Sequence, residues 1–113
     1  MHQIVTHAEL DALITGHGAV MVLFGGKHCG VCQAIKPRLA RLAETEFPRL
    51  VAAWVDCQQG GEALCASQGV FSLPVLQLWF EGRPFDRLVR AFSLDDVRRA
   101  IERPYGLVFQ GQG

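Results

Sequence analysis

The sequence has no excess of charge of either sign. It contains 11 lysines and arginines and 11 aspartates and glutamates, so its formal net charge is zero. A chain without a long-range electrostatic field does not recruit nucleic acid or an anionic membrane. We therefore expect neither a nucleic acid nor a membrane as a partner.

Long hydrophobic runs are also absent. No apolar run approaches the roughly 20 residues that a membrane-spanning helix needs. Charged residues and histidines interrupt the first dozen positions, at His2, His7, Glu9 and Asp11, where a secretory signal peptide would have an unbroken apolar segment. We expect a cytoplasmic protein, and removal of a signal peptide before residue 1 is the alternative.

The cysteines are too few for a fold built on a network of disulfides. The chain of 113 residues has four cysteines, and half of its residues are apolar. That apolar share is enough for one core without covalent cross-links. We expect a single domain over residues 1–113 with a loose tail over about 105–113, and we expect the cysteines to serve chemistry.

The periodicity of the sequence predicts an α/β fold. Four segments have the pattern of strands, the last of them at an antiparallel edge: 19–24, 50–55, 75–80 and 85–92. Four segments are predicted to be helical: 7–15, 29–46, the short segment 62–68 that ends at Gly69, and Ser93 to the residue before Pro104. Because strand, helix and strand follow one another as in a βαβ unit, we expect a central mixed sheet of four to five strands flanked by helices.

Cys29 and Cys32 lie at the predicted junction between strand 19–24 and the helix that follows it. Unpaired backbone N–H groups and the positive end of the helix dipole meet at such a junction, and they can lower the pKa of a cysteine from about 8.5 to between roughly 3.5 and 7.5. Lys27 and a protonated His28 would act in the same direction. Cys32 lies one helical turn further on, so we expect a shielded thiol within bonding reach of Cys29.

Two segments of the sequence resemble the thioredoxin superfamily. "GGKHCGVCQAIKP" at 25–37 has the Cys-x-x-Cys motif of that family and a proline five positions after the second cysteine, and "GVFSLPVLQLWFEG" at 69–82 resembles its cis-proline segment. The resemblance covers nearly the whole chain and implies a thioredoxin-like fold. It also implies a cis bond between Leu73 and Pro74 and a substrate-binding surface beside the catalytic cysteines, formed by His28, Gly30, Val31, Leu73 and Pro74.

The sequence departs from the thioredoxin pattern at two informative positions. His28 stands where a tryptophan usually precedes the first cysteine, so we expect partner preferences that differ from those of a general thioredoxin. Leu23 stands where a buried aspartate is expected beneath the resolving cysteine. Asp56, at the end of the neighbouring predicted strand, is the first substitute to consider as a proton acceptor.

Other roles for the cysteines remain as alternatives. A structural zinc or iron–sulfur site needs about four ligands, and His28, Cys29 and Cys32 supply three, so we expect no metal. Cys57 and Cys65 are most simply small buried apolar side chains. Their alternative is a second redox pair or a regulatory disulfide.

These patterns together predict thiol–disulfide exchange without a bound cofactor. Cys29 would attack a protein disulfide and Cys32 would release the reduced substrate. The resemblance implies a thioredoxin-reductase-like flavoenzyme or glutathione as the electron source. The rival interpretation is a redox-sensing binding module that docks a dedicated protein partner with little turnover.

Overall fold

The structure, a computed structural model, describes residues 1–110. Its helices and strands follow one another in the order β1 His2–Gln3, α1 His7–Gly16, β2 Ala19–Gly25, α2 Gly30–Glu46, β3 Val51–Asp56, α3 Glu62–Ser67, β4 Val75–Phe80, β5 Arg83–Val89 and α4 Leu94–Val108. The five strands form one sheet in the order β1-β3-β2-β4-β5. Strand β3 pairs in parallel with β1 and β2, whereas β4 is antiparallel to both β2 and β5. The prediction of a mixed sheet flanked by helices is confirmed.

The central strand β2 has a hydrophobic core on each of its faces. Side chains alternate between the two faces of a strand, so Met21 and Leu23 pack on one side together with Leu39 of α2 and Ile101 of α4. The neighbouring residues of β2 pack on the other side with α1 and α3; this set includes Val20, Val22, Phe24, Leu10 and Leu64. Every residue of β2 is buried, which explains why its sequence is a continuous apolar run.

Helix α4 is longer than the sequence predicts. It was expected to end before Pro104, with a loose tail from about residue 105, but it continues through Pro104 to Val108. The ring of Tyr105 packs 5.1 Å from that of Phe47 and 4.7 Å from that of Phe109. These aromatic contacts offset the cost of a proline inside a helix. Residues 111–113 of the expected tail lie outside the described residues.

Tyr105→Ala is therefore expected to lower the free energy of unfolding by about 2 kcal/mol, because it removes a half-buried ring from two aromatic contacts. Tyr105→Phe is the matched control. It keeps the ring and loses only the hydroxyl that accepts a hydrogen bond from the Arg49 backbone N–H at 3.0 Å, at a cost of about 1 kcal/mol. Urea denaturation measures both values. If Tyr105→Ala were as stable as the wild type, the part of α4 after Pro104 would contribute nothing to the stability of the fold.

Within residues 1–110 no helix is both long enough and apolar enough to cross a membrane.

Candidate active site

Cys29 and Cys32 lie together at the junction of β2 and α2. Cys29 is the N-cap of α2, and its Sγ accepts a hydrogen bond from the backbone N–H of Cys32 at 3.2 Å. The two cysteines form a disulfide with their Cα atoms 5.2 Å apart. Cys29 is half-buried, whereas Cys32 is only 2% exposed. The arrangement gives an outside partner access to Cys29 while Cys32 is shielded behind it.

Two glycines before the cysteines allow close packing beneath the disulfide. A Cβ atom on Gly25 would lie 3.0 Å from Cys32 Cβ and 3.3 Å from its Sγ. A Cβ atom on Gly26 would collide with the side chain of Gln58. Larger residues at either position would therefore push the active-site loop away from its supports.

The loop after β3 holds the active-site loop in place. Asp56 Oδ1 accepts hydrogen bonds from three backbone N–H groups, those of Lys27 at 3.3 Å, Gln58 at 2.9 Å and Gln59 at 3.0 Å. Gln58 Oε1 accepts the backbone N–H of His28 at 2.7 Å. The Cys57 N–H also donates to the Gly25 carbonyl, at 2.8 Å. The position of the residues next to Cys29 thus depends on Asp56 and Gln58.

The role of Gln58 was not predicted from the sequence. A signal was present, because β2 and β3 are parallel and the residues after their carboxyl ends meet at one edge of the sheet. Gln58 follows Asp56 by two positions and His28 follows Gly25 by three, so a polar side chain there was a candidate partner for the active-site loop.

Cys57 and Cys65 are joined by a disulfide, with their Cα atoms 5.7 Å apart. The simplest expectation, two unpaired buried thiols, is therefore wrong. The loop after β3 turns back into α3 and brings Cys65, which is 3% exposed, beside Cys57. This bond anchors the loop that carries Gln58. A redox or regulatory role for it stays a prediction.

Removing the second disulfide is expected to destabilise the fold. The bond closes a loop with a sequence separation of 8, for which the chain-entropy relation gives about 2.5 kcal/mol. Cys57→Ala/Cys65→Ala should lose that amount in urea denaturation. The variant and the reference protein that keeps Cys57 and Cys65 should both carry Cys29→Ser and Cys32→Ser, so that dithiothreitol acts only on the Cys57–Cys65 disulfide. The difference should shrink in dithiothreitol, and equal stability without it would contradict the prediction.

The segment before β4 reaches the same edge of the sheet as the two cysteines. The Leu73–Pro74 peptide bond is cis. Pro74 precedes Val75, which is paired with Phe24, so the antiparallel register places Pro74 opposite Gly25, the residue on which Cys32 packs. The structure thus brings Leu73 and Pro74 to the edge of the sheet where Cys29 and Cys32 lie.

The remaining predicted site residues surround Cys29 at the surface. Lys27, His28 and Gly30 are exposed, and Val31 is 61% exposed. An influence of Lys27 and His28 on the pKa of Cys29, and contact of these residues with substrate, stay predictions. Phe71, which was not among the predicted site residues, is 86% exposed three positions before Pro74. It adds an aromatic side chain to the loop that leads into Pro74.

Beneath the disulfide the site is apolar. Leu23 is 1% exposed and lies opposite Trp54 of β3 and Leu76 of β4. Lys36 Nζ lies 3.4 Å from the centroid of the Trp54 ring; burial lowers the pKa of this lysine, and the charge of Asp56 opposes the shift. Because Asp56 Oδ1 is bound by three backbone N–H groups, the clear role of Asp56 is to hold the loop.

Among residues 1–110 no three histidine, cysteine, aspartate or glutamate side chains are grouped so that they could hold a metal ion.

Comparison with known proteins decides the family. The sequence profile described as "Thioredoxin" matches residues 1–103. The chain belongs to the thioredoxin family. Within this family it is 30% identical over 88 residues to thioredoxin-like 3-2, chloroplastic, of Arabidopsis thaliana, a match that covers 74% of this chain and 46% of the relative. The chain thus spans about half the length of that plant relative.

Two further thioredoxins match over most of their length. The thioredoxin of Alicyclobacillus acidocaldarius is 29% identical over 85 residues, which are 75% of this chain and 80% of the relative. The X-ray structure of Fasciola hepatica thioredoxin has a TM-score of 0.81 at 30% identity and covers 91% of this chain and 98% of that one. The thioredoxin family, the thioredoxin-like fold and the Cys29–Cys32 pair support a thiol–disulfide oxidoreductase function.

Proposed function

We propose that this thioredoxin family member reduces disulfides in other proteins. The observation that carries the proposal is the asymmetry of the pair: Cys29 caps α2 and is half-buried, whereas Cys32 is 2% exposed. A helix N-terminus favours the thiolate. The half-buried Cys29 thiolate can reach a disulfide on another protein. The shielded Cys32 thiol reacts only later, with the mixed disulfide on Cys29.

The reaction proceeds through two exchanges. The reduced Cys29 thiolate attacks one sulfur of the substrate disulfide, and the other substrate sulfur leaves as a thiolate. Cys32 then loses its proton and attacks Cys29 Sγ in the mixed disulfide, which releases the second substrate thiolate. The substrate gains two electrons, and this protein is left with the Cys29–Cys32 disulfide.

Substrate would lie between the active-site loop and the cis-proline segment. His28, Gly30 and Val31 are exposed next to Cys29 in the sequence, and the register of β2 and β4 brings Leu73 and Pro74 to the same edge of the sheet. An extended substrate segment beside Leu73 would pair with the backbone in the manner of an added strand. A thioredoxin-reductase-like flavoenzyme or glutathione would return electrons to the disulfide, in the cytoplasm.

Turnover of insulin disulfides with dithiothreitol as electron source tests the proposal. We expect reduction well above the rate with dithiothreitol alone. A redox-sensing module would instead show a reversible Cys29–Cys32 couple without turnover, and that outcome would contradict the proposal. The reduction potential of the pair then fixes the direction of electron flow, because about −270 mV is typical of a reductant and about −120 mV of an oxidant.

A further inference from the structure

Arg90, the residue after β5, has a strained backbone. Its φ is +66°, in the left-handed region that favours glycine. The Ala91 N–H donates to the Val89 carbonyl at 2.8 Å, which closes a γ-turn with positive φ at its centre, the rarer and more strained of the two γ-turn forms. Residues with such strain cluster at ligand-contact sites in proteins, which directs attention to the Arg90 side chain.

The other strained position has an ordinary explanation. Among residues 1–110, Glu81 is the one other non-glycine residue with positive φ, at +53°. Glu81 and Gly82 form the two-residue connection between the antiparallel strands β4 and β5, and Gly82 also has positive φ. Hairpin turns of this length require positive φ at their central residues. Arg90 is in no hairpin turn, so this reason does not apply to it.

Arg90 lies at the rim of the disulfide site. Its backbone N–H donates to the Pro74 carbonyl at 2.7 Å. Gly25, Pro74 and Arg90 therefore form a row across three adjacent strands, and Cys32 packs on Gly25. With strands spaced about 4.8 Å apart, the Cα atom of Arg90 is about 10 Å from that of Gly25, close enough for its side chain to meet a substrate bound over Cys29.

The positive charge of Arg90 is not compensated by its surroundings. Its side chain is exposed and makes no hydrogen bond or ion pair within the described part of the chain. The acidic residues next in sequence are already engaged. Asp96 Oδ2 accepts the Ser93 N–H at 2.9 Å, and Asp95 pairs with Arg98 and Arg99. The rim of the site thus offers a free guanidinium.

Apolar surface accompanies this charge. Val31, Phe71 and Val89 are 61%, 86% and 47% exposed on the segments that surround the disulfide. Beside Val31 a groove of about 340 Å³ is lined by Ile35, Phe92 and a second cation, Arg38. A segment that fits here combines apolar side chains with negative charge.

We infer that Arg90 is a specificity residue that binds a carboxylate side chain next to the disulfide of a protein substrate. Its guanidinium presents paired N–H donors that match a carboxylate. The inference rests on the proposed function, because it concerns the choice among substrates of that reaction. It gives an otherwise neutral protein a preference for acidic segments around the target disulfide.

The test compares kcat/KM for two peptide disulfides that differ only in Asp or Asn beside the cysteine. Wild-type protein is expected to prefer the Asp peptide about threefold, the range of an exposed ion pair, and less at high salt. In Arg90→Gln and in Arg90→Gly, kcat/KM should be the same for the Asp peptide and the Asn peptide. Arg83→Gln, at the exposed other end of β5, is the matched control and should keep the preference. Arg90→Gly should also melt above Arg90→Gln, because glycine adopts the positive φ without strain.

The other outcomes would contradict either the role of Arg90 alone or the reductase function as well. Equal rates on both peptides in wild-type protein, or a preference retained in Arg90→Gln, would overturn the role of Arg90 and leave the reductase function standing. Failure to reduce either peptide would overturn both. Glutathione disulfide also carries carboxylates. If Arg90→Gln lowers kcat/KM for that substrate alone, the guanidinium binds a small-molecule disulfide and not a protein segment, which would overturn the inference.

Discussion

Reduced Cys32→Ser protein is expected to form a stable mixed disulfide with a substrate protein through Cys29. The first exchange needs only the Cys29 thiolate, which the N-terminus of α2 favours. The second exchange needs a thiol at position 32, and serine cannot supply one. Incubation with oxidised insulin, without a small-molecule reductant, should give a one-to-one adduct on a non-reducing gel. Catalytic turnover should fall to the rate of dithiothreitol alone.

Cys29→Ser is the matched control, and its expected behaviour is different. It also loses turnover, but it should form no adduct, because Cys32 is 2% exposed and cannot meet a protein disulfide. Peptide mapping locates the sulfur in the Cys32→Ser adduct. An adduct on Cys57 or Cys65 would contradict the assignment of Cys29 as the nucleophile, and so would turnover that persists in Cys29→Ser.

The sequence predicted those parts of the fold that depend on local patterns. The all-buried strand Ala19–Gly25 is a continuous apolar run, and the first and last helices begin at the capping boxes of Thr6 and Ser93. The end of α4 was not predictable in this way. Its extension past Pro104 depends on contact between Tyr105 and Phe47, residues far apart in sequence, and that contact outweighs the local preference of proline.

The candidate site was predictable where a motif carries it and not where tertiary contacts do. The spacing of Cys29 and Cys32 and their place between strand and helix were enough to predict that the two sulfurs lie together at the start of α2, with Cys32 the more shielded. Gln58 holds His28 through a hydrogen bond between two loops, and the signal for that contact lies in the parallel pairing of β2 with β3, which is not a local pattern. Arg90 was missed for another reason, since positive φ at a non-glycine residue has no signal in composition or periodicity.

Leu23→Asp is expected to lower stability at neutral pH and to accelerate the second exchange. Leu23 is 1% exposed and lies on the face of β2 that also carries Gly25, about 7 Å from it along the strand. Because Cys32 packs on Gly25, an aspartate at position 23 would lie beneath the shielded thiol. A buried thiol resists ionisation, and a nearby carboxylate can take its proton, directly or through a water molecule, when Cys32 must attack.

The cost to stability is expected to depend on pH. Burial raises the pKa of a carboxyl group above the roughly 3.9 of an unfolded aspartate. The folded variant therefore holds its proton more strongly than the unfolded chain, and its stability falls as pH rises above about 4. We expect a loss of about 4 kcal/mol at pH 7 relative to wild type, and a smaller loss at pH 5.

Leu23→Asn separates the proton acceptor from the change in packing. Asparagine has nearly the same shape as aspartate and does not titrate. The loss of stability in Leu23→Asn should therefore be the same at pH 5 and pH 7. It should leave the second exchange slow, whereas Leu23→Asp should shorten the lifetime of a preformed mixed disulfide on Cys29. Stopped-flow measurement at a pH where both variants are folded gives that lifetime. Equal lifetimes in wild type, Leu23→Asn and Leu23→Asp would mean that solvent or another group already takes the proton from Cys32. Measuring the same lifetime in Asp56→Asn would then show whether this group is Asp56.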